Sequence, residues 1–356
     1  MGQSDMQLGI IGAGAIGNVH MGTFSQVEGV QVASVTDVYL PLARQRAEEH
    51  GITQVHDSPQ AMLEDECIDA VVIGVPNQFH AELAIAALKR GKHVLLEKPM
   101  AINAKAARDI VTAAEQSGKV LMMSHQMRWL GLSRAAKALI DNGETGRIYH
   151  AKAGWFRRKG IPGWGSWFTR MDQSGGGPLI DIGVHMLDLT LYLMGNPRPI
   201  SVYGSTYAEF GPNREGLGNW GTPNWDGYYD VEDLASALIK LDNGSTLSLE
   251  VSWAAHSASL PEKPFVHLMG TKGGIGIVGD KGTFVTHRDN EAVESEIAPL
   301  EGEVERVLMA NHFAECVRHG KQPITSAMSG YVNNRILDAI YESSRTGGEV
   351  KLSWNE

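Results

Sequence analysis

The chain has 356 residues, a formal net charge of −10 at pH 7, 43% apolar and 20% charged residues, and two cysteines far apart at 67 and 316. The acidic balance argues against nucleic acid or an anionic membrane as the main partner, because both reward clustered lysine and arginine. Two distant cysteines make neither a disulfide framework nor a zinc pattern, and no uncharged apolar run reaches the roughly 18 residues of a membrane span.

A chain of this length predicts about two domains. The first residues carry no basic stretch or cleavage pattern, so a cytoplasmic protein is expected. Segments 8–11, 30–35, 70–75, 93–97 and 119–123 are apolar almost throughout, as strands buried on both faces are. Helical spacing fills the intervals, and several of these helices run into glycine. The alternation predicts a doubly wound parallel sheet of Rossmann type over 1–125. From 126 the pattern changes. Segments 147–156, 200–207, 234–241, 245–253, 265–270 and 282–287 alternate apolar and polar residues, with a hairpin signal at Asn243-Gly244. They predict an α+β domain over 126–356 with a large, mostly antiparallel open sheet. An uncovered sheet face predicts a homodimer or homotetramer. Segment 209–230 is long and rich in glycine, proline and aromatic residues, which marks a functional or interfacial loop.

The first motif in chain order is GIIGAGAIGNVH. Gly12, Gly14 and Gly17, with Ala15 and Ile16 between them, follow a strand and open a helix. That arrangement brings backbone amides and a positive helix end to a pyrophosphate. Asp37 ends the second strand, where an acid accepts ribose hydroxyls and repels a 2′-phosphate. Val38 and Tyr39 follow without an adjacent base, so NAD is favoured over NADP. Asn77 and His80, in GVPNQFHAE, fall at the carboxyl edge of the sheet, Asn77 suited to a cofactor ribose or amide and His80 in a first helical turn. Glu97-Lys98-Pro99 ends another buried strand, which projects Lys98 from the ligand edge to steer a substrate hydroxyl.

The stretch GGGPLIDIGVHMLDL is more unusual. If 178–194 is one helix, Asp181, His185, Asp188 and Tyr192 share a stripe at i, i+4, i+7 and i+11. Each buried polar group left unpaired costs about 1–3 kcal/mol, so the stripe calls for a polar cavity. His185 is the natural general base, with Asp181 orienting it or binding a neighbouring hydroxyl. The plainer alternatives are Asp181 as a helix cap and His185 as a satisfied core histidine. Asp188 divides evenly between substrate contact and internal ion pair. A metal is not expected, because the stripe lacks companion ligands. Just ahead, 154–177 holds Arg157, Arg158, Trp164, Trp167, Phe168 and Asp172. Aromatic faces beside hydrogen-bonding groups suit a pyranose, although tryptophans of this kind also fill interfaces.

Taken in order, GAGAIG, Asp37, the Pro76-Asn77 turn with His80, Glu97-Lys98-Pro99 and the glycine-led Asp181-x-x-x-His185 helix resemble the glucose–fructose oxidoreductase / inositol dehydrogenase / MocA family across essentially the whole chain. The resemblance implies a Rossmann domain joined to an α/β domain, and NAD- or NADP-dependent redox chemistry on sugars, inositols and related polyols. It assigns catalysis to Lys98, Asp181 and His185, and cofactor contacts to the glycine loop, Asp37, Asn77, His80, Glu97 and Lys98. Family members often carry adjacent basic residues within SHQMRW. Here Gln126-Met127 precede Arg128, which leaves Arg128 as the substrate contact. The substrate set is then Lys98, Arg128, Arg157, Trp164, Trp167, Asp172, Asp181 and His185. The expected function is NAD-dependent oxidation of a ring hydroxyl of a sugar, glycoside or inositol, or the reverse ketone reduction. A redox-neutral glycoside hydrolase or lyase with tightly held NAD is the alternative. A non-catalytic dinucleotide sensor would not need to keep both Lys98 and His185.

Overall fold

The computed structural model describes residues 5–258 and 262–354. Chain contacts divide it into two compact units, residues 1–126 with 303–331, and residues 127–302 with 332–356.

The first unit runs β1 (Met6–Ile11), α1 (Ala15–Phe24), β2 (Val30–Thr36), α2 (Leu40–His50), β3 (Gln54–Val55), α3 (Pro59–Glu64), β4 (Ala70–Ile73), α4 (His80–Lys89), β5 (His93–Leu96), α5 (Ala104–Ser117) and β6 (Leu121–Met123). Its six strands pair in parallel in the order β3-β2-β1-β4-β5-β6. All four residues of β4 are fully buried, as a strand covered on both faces requires. Sequence order reverses between β1 and β4, and open α/β sheets bind ligands at such a switch. Ser58 and Asn103 cap α3 and α5 with side-chain oxygens, whereas α1 starts at Gly14 without a side-chain cap. That difference matters for the anion site below.

The second unit carries α6 (Gly131–Asp141), β7 (Ile148–Phe156), the single turn α7 (Met171–Ser174), α8 (Val184–Leu193), β8 (Pro199–Tyr207), β9 (Leu234–Leu241), β10 (Thr246–Ser252), β11 (Pro264–Gly270), β12 (Gly273–Val278), β13 (Lys281–Arg288) and β14 (Glu291–Glu296). Then come α9 (Glu305–His319), α10 (Ala327–Thr346) and β15 (Val350–Lys351). A nine-stranded sheet has the order β14-β13-β12-β11-β7-β10-β9-β8-β15. Every pairing in it is antiparallel except β7 with β10. The β9–β10 hairpin turns at Gly244, whose φ of +81° favours glycine. One face of the sheet supplies Leu247, Leu249, Val251, Ala237 and Ile239 to a core shared with Leu187 and Leu191 of α8. On β8 and β9, Tyr203 stands opposite Leu238, and both are about half exposed.

The units correct the expected boundary, because 303–331 returns to the first of them. Val307, Met309, Ala310 and Phe313 give α9 an apolar face, and Phe313 meets Phe24 of α1 edge-on at 6.3 Å. β6 is an edge strand, and the returning chain covers it: Met123 N–H donates to Thr325 O at 2.8 Å. Among the described residues no helix is long and apolar enough to cross a membrane.

Candidate active site

In the first unit the glycine loop is shaped by close approach. A side chain on Gly12 (φ +102°) would collide with the carbonyl of Gly74, and one on Gly17 with the carbonyl of Gly12. At Gly14 a Cβ would meet nothing within 4 Å. Two glycines are therefore needed for packing, and the third leaves open space before the amides of Ala15 and Ile16 at the uncapped start of α1. This cradle fits the pyrophosphate of a dinucleotide, which the helix end and its amides attract. Asp37 holds the loop: Ala13 N–H donates to its Oδ2 at 2.7 Å and Tyr39 N–H to its Oδ1 at 2.8 Å.

Asn77 lies buried in the short helical turn after β4, at the sheet's carboxyl edge. His80 corrects its expected role. Its ring is fully buried, with Nδ1 2.7 Å from Pro99 O and Nε2 2.9 Å from Val75 O. It ties the loop after β4 to the loop after β5. Burial pushes its pKa below the usual histidine value, and the two carbonyls pull the other way.

Glu97 is corrected in the same way. His20 Nε2 lies 2.7 Å from its Oε1, Ser124 Oγ donates to the same oxygen at 2.7 Å, and Lys98 N–H reaches Oε2 at 3.2 Å. Burial alone would raise its pKa. The hydrogen bond and charge of His20, then Ser124 and Arg306, outweigh burial and hold the carboxyl well below the ordinary carboxylate range. An ionised, buried Glu97 thus anchors the backbone from which partly exposed Lys98 projects, ahead of a cis Lys98–Pro99 peptide.

In the second unit the polar stripe divides. Residues Leu179–Gly183 form a π-helical turn leading into α8, so the phase counted on one straight α-helix does not hold. Asp181 does not cap the helix; its Oδ2 accepts from Trp253 Nε1 at 3.0 Å, and it stays partly exposed. His185 lies in the first turn of α8 at 9% exposure. Asp188 belongs to an internal pair. Arg128 Nε donates to Asp188 Oδ2 at 2.7 Å and Nη2 to Oδ1 at 2.6 Å, and Asn333 Nδ2 adds a bond at 3.1 Å. Arg128 also stacks over Tyr192, 4.7 Å from the ring centroid. The expected substrate contact at Arg128 is therefore corrected: the guanidinium is 3% exposed and matched edge-on to a carboxylate.

The aromatic segment is ordered by long-range backbone bonds, among them Gly163 N–H to Trp220 O at 2.9 Å and Asn224 N–H to Trp164 O at 2.7 Å. Trp164 is a floor and not an open contact surface. At 5% exposure, it donates Nε1 to Gly211 O at 2.7 Å and stacks on Trp225 at 5.8 Å. Trp225, Trp220 and Tyr228 are about half exposed above it. Trp167 lies 3.7 Å from Phe168, which meets Trp220 at 4.6 Å. Asp172 is exposed and accepts from Tyr228 Oη at 3.2 Å, while Arg157 lies over the Trp155 ring at 4.6 Å. Trp225, Trp220 and Tyr228 lie in the loop that length and composition had marked, but no residue within it had been singled out. Trp253 and Glu232 carried no local signal. Among the described residues no cluster of three or more His, Cys, Asp or Glu is arranged to hold a metal.

Comparison with known proteins identifies the family and the fold. Residues 6–125 match the family model described as "Oxidoreductase family, NAD-binding Rossmann fold", and residues 133–284 match the "GFO/IDH/MocA C-terminal domain". A D-glucoside 3-dehydrogenase of Escherichia coli is 33% identical over 99% of both chains. The NAD-dependent scyllo-inositol 2-dehydrogenase of Bacillus subtilis is 28% identical, covering 98% of this chain and 97% of that one. A solved levoglucosan dehydrogenase in complex with NADH and levoglucosan superposes with a TM-score of 0.85 at 23% identity, over 98% of this chain and 99% of the other.

Removing one partner of a buried pair strands the other charge, so Arg128→Met is expected to cost about 3–5 kcal/mol in chemical denaturation. The folded fraction should keep its KM for a sugar substrate. A raised KM with unaltered stability would return Arg128 to the substrate.

Proposed function

The chain belongs to the GFO/IDH/MocA oxidoreductase family, with an NAD-binding Rossmann fold and a C-terminal domain of that family, and we propose that it oxidises a ring hydroxyl of a pyranose or pyranoside with NAD. One observation carries the reading most directly. The second unit satisfies Asp188 internally through Arg128, yet holds Asp181 partly exposed on Trp253 one turn before His185. Packing buries the first acid, while Asp181 keeps its carboxyl partly open to solvent beside His185.

Bound NAD supplies the hydride acceptor for the ring C–H. His185 takes the hydroxyl proton as the C–O bond becomes a carbonyl, a task for which an imidazole is suited at neutral pH. The family resemblance assigns Lys98 to the reaction as well, where an ammonium would stabilise negative charge developing on a hydroxyl oxygen. Asp181, oriented by the indole of Trp253, binds the neighbouring hydroxyl or directs the imidazole. The amides of Ala15 and Ile16 take the pyrophosphate. Asn77, at the carboxyl edge of β4, holds the cofactor's ribose or amide.

The half-exposed Trp220, Trp225 and Tyr228, with Trp167 and Phe168, offer apolar faces to the C–H side of a sugar ring. Asp172 and Arg157 add polar groups at the rim. The relative named as a D-glucoside 3-dehydrogenase, 33% identical along the whole chain, supports a glucoside and oxidation at C3. The exposed Tyr203–Leu238 surface of the open sheet supports a homodimer or homotetramer.

NAD rather than NADP follows from the end of β2. The Asp37 carboxylate is pinned by two backbone amides and would repel a 2′-phosphate, and the next residues, Val38 and Tyr39, are exposed and uncharged. Two measurements check the proposal. Lys98→Met and His185→Ala should each lower kcat with a pyranoside by about 10²–10⁴-fold while NAD binding persists. Retained turnover in both would remove them from the reaction. Asp37→Ala should narrow the preference for NAD over NADP in kcat/KM, and unchanged discrimination would mean that the ribose is read elsewhere.

A further inference from the structure

Gly175-Gly176-Gly177 precedes the π turn, and two of these glycines are explained by one side-chain cluster. A Cβ on Gly176 would collide with Tyr341 Oη, and one on Gly177 with the carbonyl of Glu232. Glu232 is 5% exposed, two residues before β9. Its Oε2 accepts from Gly177 N–H at 2.9 Å and its Oε1 from Leu179 N–H at 3.0 Å. Tyr341 Oη donates across both oxygens, at 3.0 and 3.1 Å, and Tyr229 Oη donates to the Glu232 backbone carbonyl at 3.1 Å.

The two amides lie on either side of Pro178, which has no N–H of its own. They are the first donors of the helical segment, groups that every helix must satisfy from outside. Asp181 N–H closes the same turn on Gly177 O at 3.0 Å. The residue at its N-cap position, Pro178, has no side chain that can cap it. A carboxylate more than fifty residues further along the chain does so instead, with one oxygen for each amide. Burial raises the pKa of this carboxyl, while the two amides and the Tyr341 hydroxyl pull it the other way.

The same backbone fixes the other side of the turn. Trp253 N–H donates to Asp233 O at 2.9 Å, and Trp253 Nε1 holds the Asp181 carboxylate. Glu232 thus sets where the turn begins, and its strand neighbour orients the first functional group on the turn. Burial pushes the Tyr341 hydroxyl well above the usual tyrosine value, so the phenol remains a donor to Glu232.

We propose that Glu232, clasped by Tyr341, is a positioning residue that sets the height and rotation at which Asp181 and His185 are presented. The inference rests on the reading of those two residues as the reacting pair. It does not make Glu232 a proton carrier, because its oxygens point at backbone amides.

The test uses the full chain and Glu232→Gln, which keeps the shape but replaces one acceptor with an NH₂ facing an N–H. Backbone amide exchange over 177–185 should accelerate about tenfold with the melting temperature nearly kept, as for a local opening. With a pyranoside, kcat should fall at least about tenfold while KM for NAD stays within about twofold, since small misplacements of a catalytic group are costly. Tyr341→Phe, which retains both amide bonds, should show the same pattern in smaller measure. An active enzyme with unchanged kcat, or unchanged exchange over 177–185, overturns the proposal. So does a fall in kcat matched by an equal loss of NAD affinity and of folded protein, which would mark a role in general stability. If the unaltered chain forms no NADH with any ring hydroxyl, the functional reading fails instead, and the exchange data still decide whether Glu232 holds the turn.

Discussion

A carboxyl group withdrawn from water needs hydrogen-bond donors in place of the lost solvent, and the second unit is organised around that requirement. Three acids lie in or beside α8 and its leading turn, and each is met differently. Asp188 receives the Nε–Nη2 edge of the Arg128 guanidinium. Glu232 receives two backbone amides and a phenol. Asp181 receives an indole N–H and remains partly exposed. Each unmet bond would cost about 1–3 kcal/mol, so these partners decide how the helix can sit. Burial of the Arg128–Asp188 pair is not in itself a gain in stability; its effect is to fix one orientation of α8, because any other strands a charge.

The first unit solves the converse problem of keeping donors available. α3 and α5 are closed by side-chain caps, but α1 begins at a glycine in open space. Its first amides and positive end are thereby available to an anion. Around that opening the charged groups are tied down. Asp37 is bound to the glycine loop, and Glu97 is locked between His20 and Ser124. Lys98 projects from the residue next to that lock. The anchored Glu97 fixes the backbone from which the Lys98 side chain starts.

Much of this was legible in the sequence, because it is local. Apolar runs marked the parallel strands, period-two alternation marked the second sheet, and the glycine spacing marked the turn after β1. The rest depended on partners distant in the chain. Nothing near Arg128 announces Asp188, sixty residues on, so a buried arginine read as a ligand for substrate. His80 and Glu97 sit in the right motifs, but each is saturated by groups that a motif does not display. The π turn adds its extra residue without any composition change, and this shifted the phase on which the stripe was counted. The return of 303–331 to the first unit follows from Phe313 finding Phe24, a contact between segments nearly three hundred residues apart. The three glycines were visible as an oddity, but the cause of two of them, Glu232 and Tyr341, was not.

The proposed reaction is a net oxidation, with the ring hydrogen leaving as hydride and the hydroxyl proton passing to His185. The most direct test follows NADH absorbance during turnover of a glucoside deuterated at C3, alongside the unlabelled sugar. One NADH per sugar consumed, formed more slowly from the labelled substrate and carrying the deuterium, is the predicted result. Cleavage of the glycosidic bond without accumulation of NADH would contradict it and place this chain with redox-neutral chemistry instead.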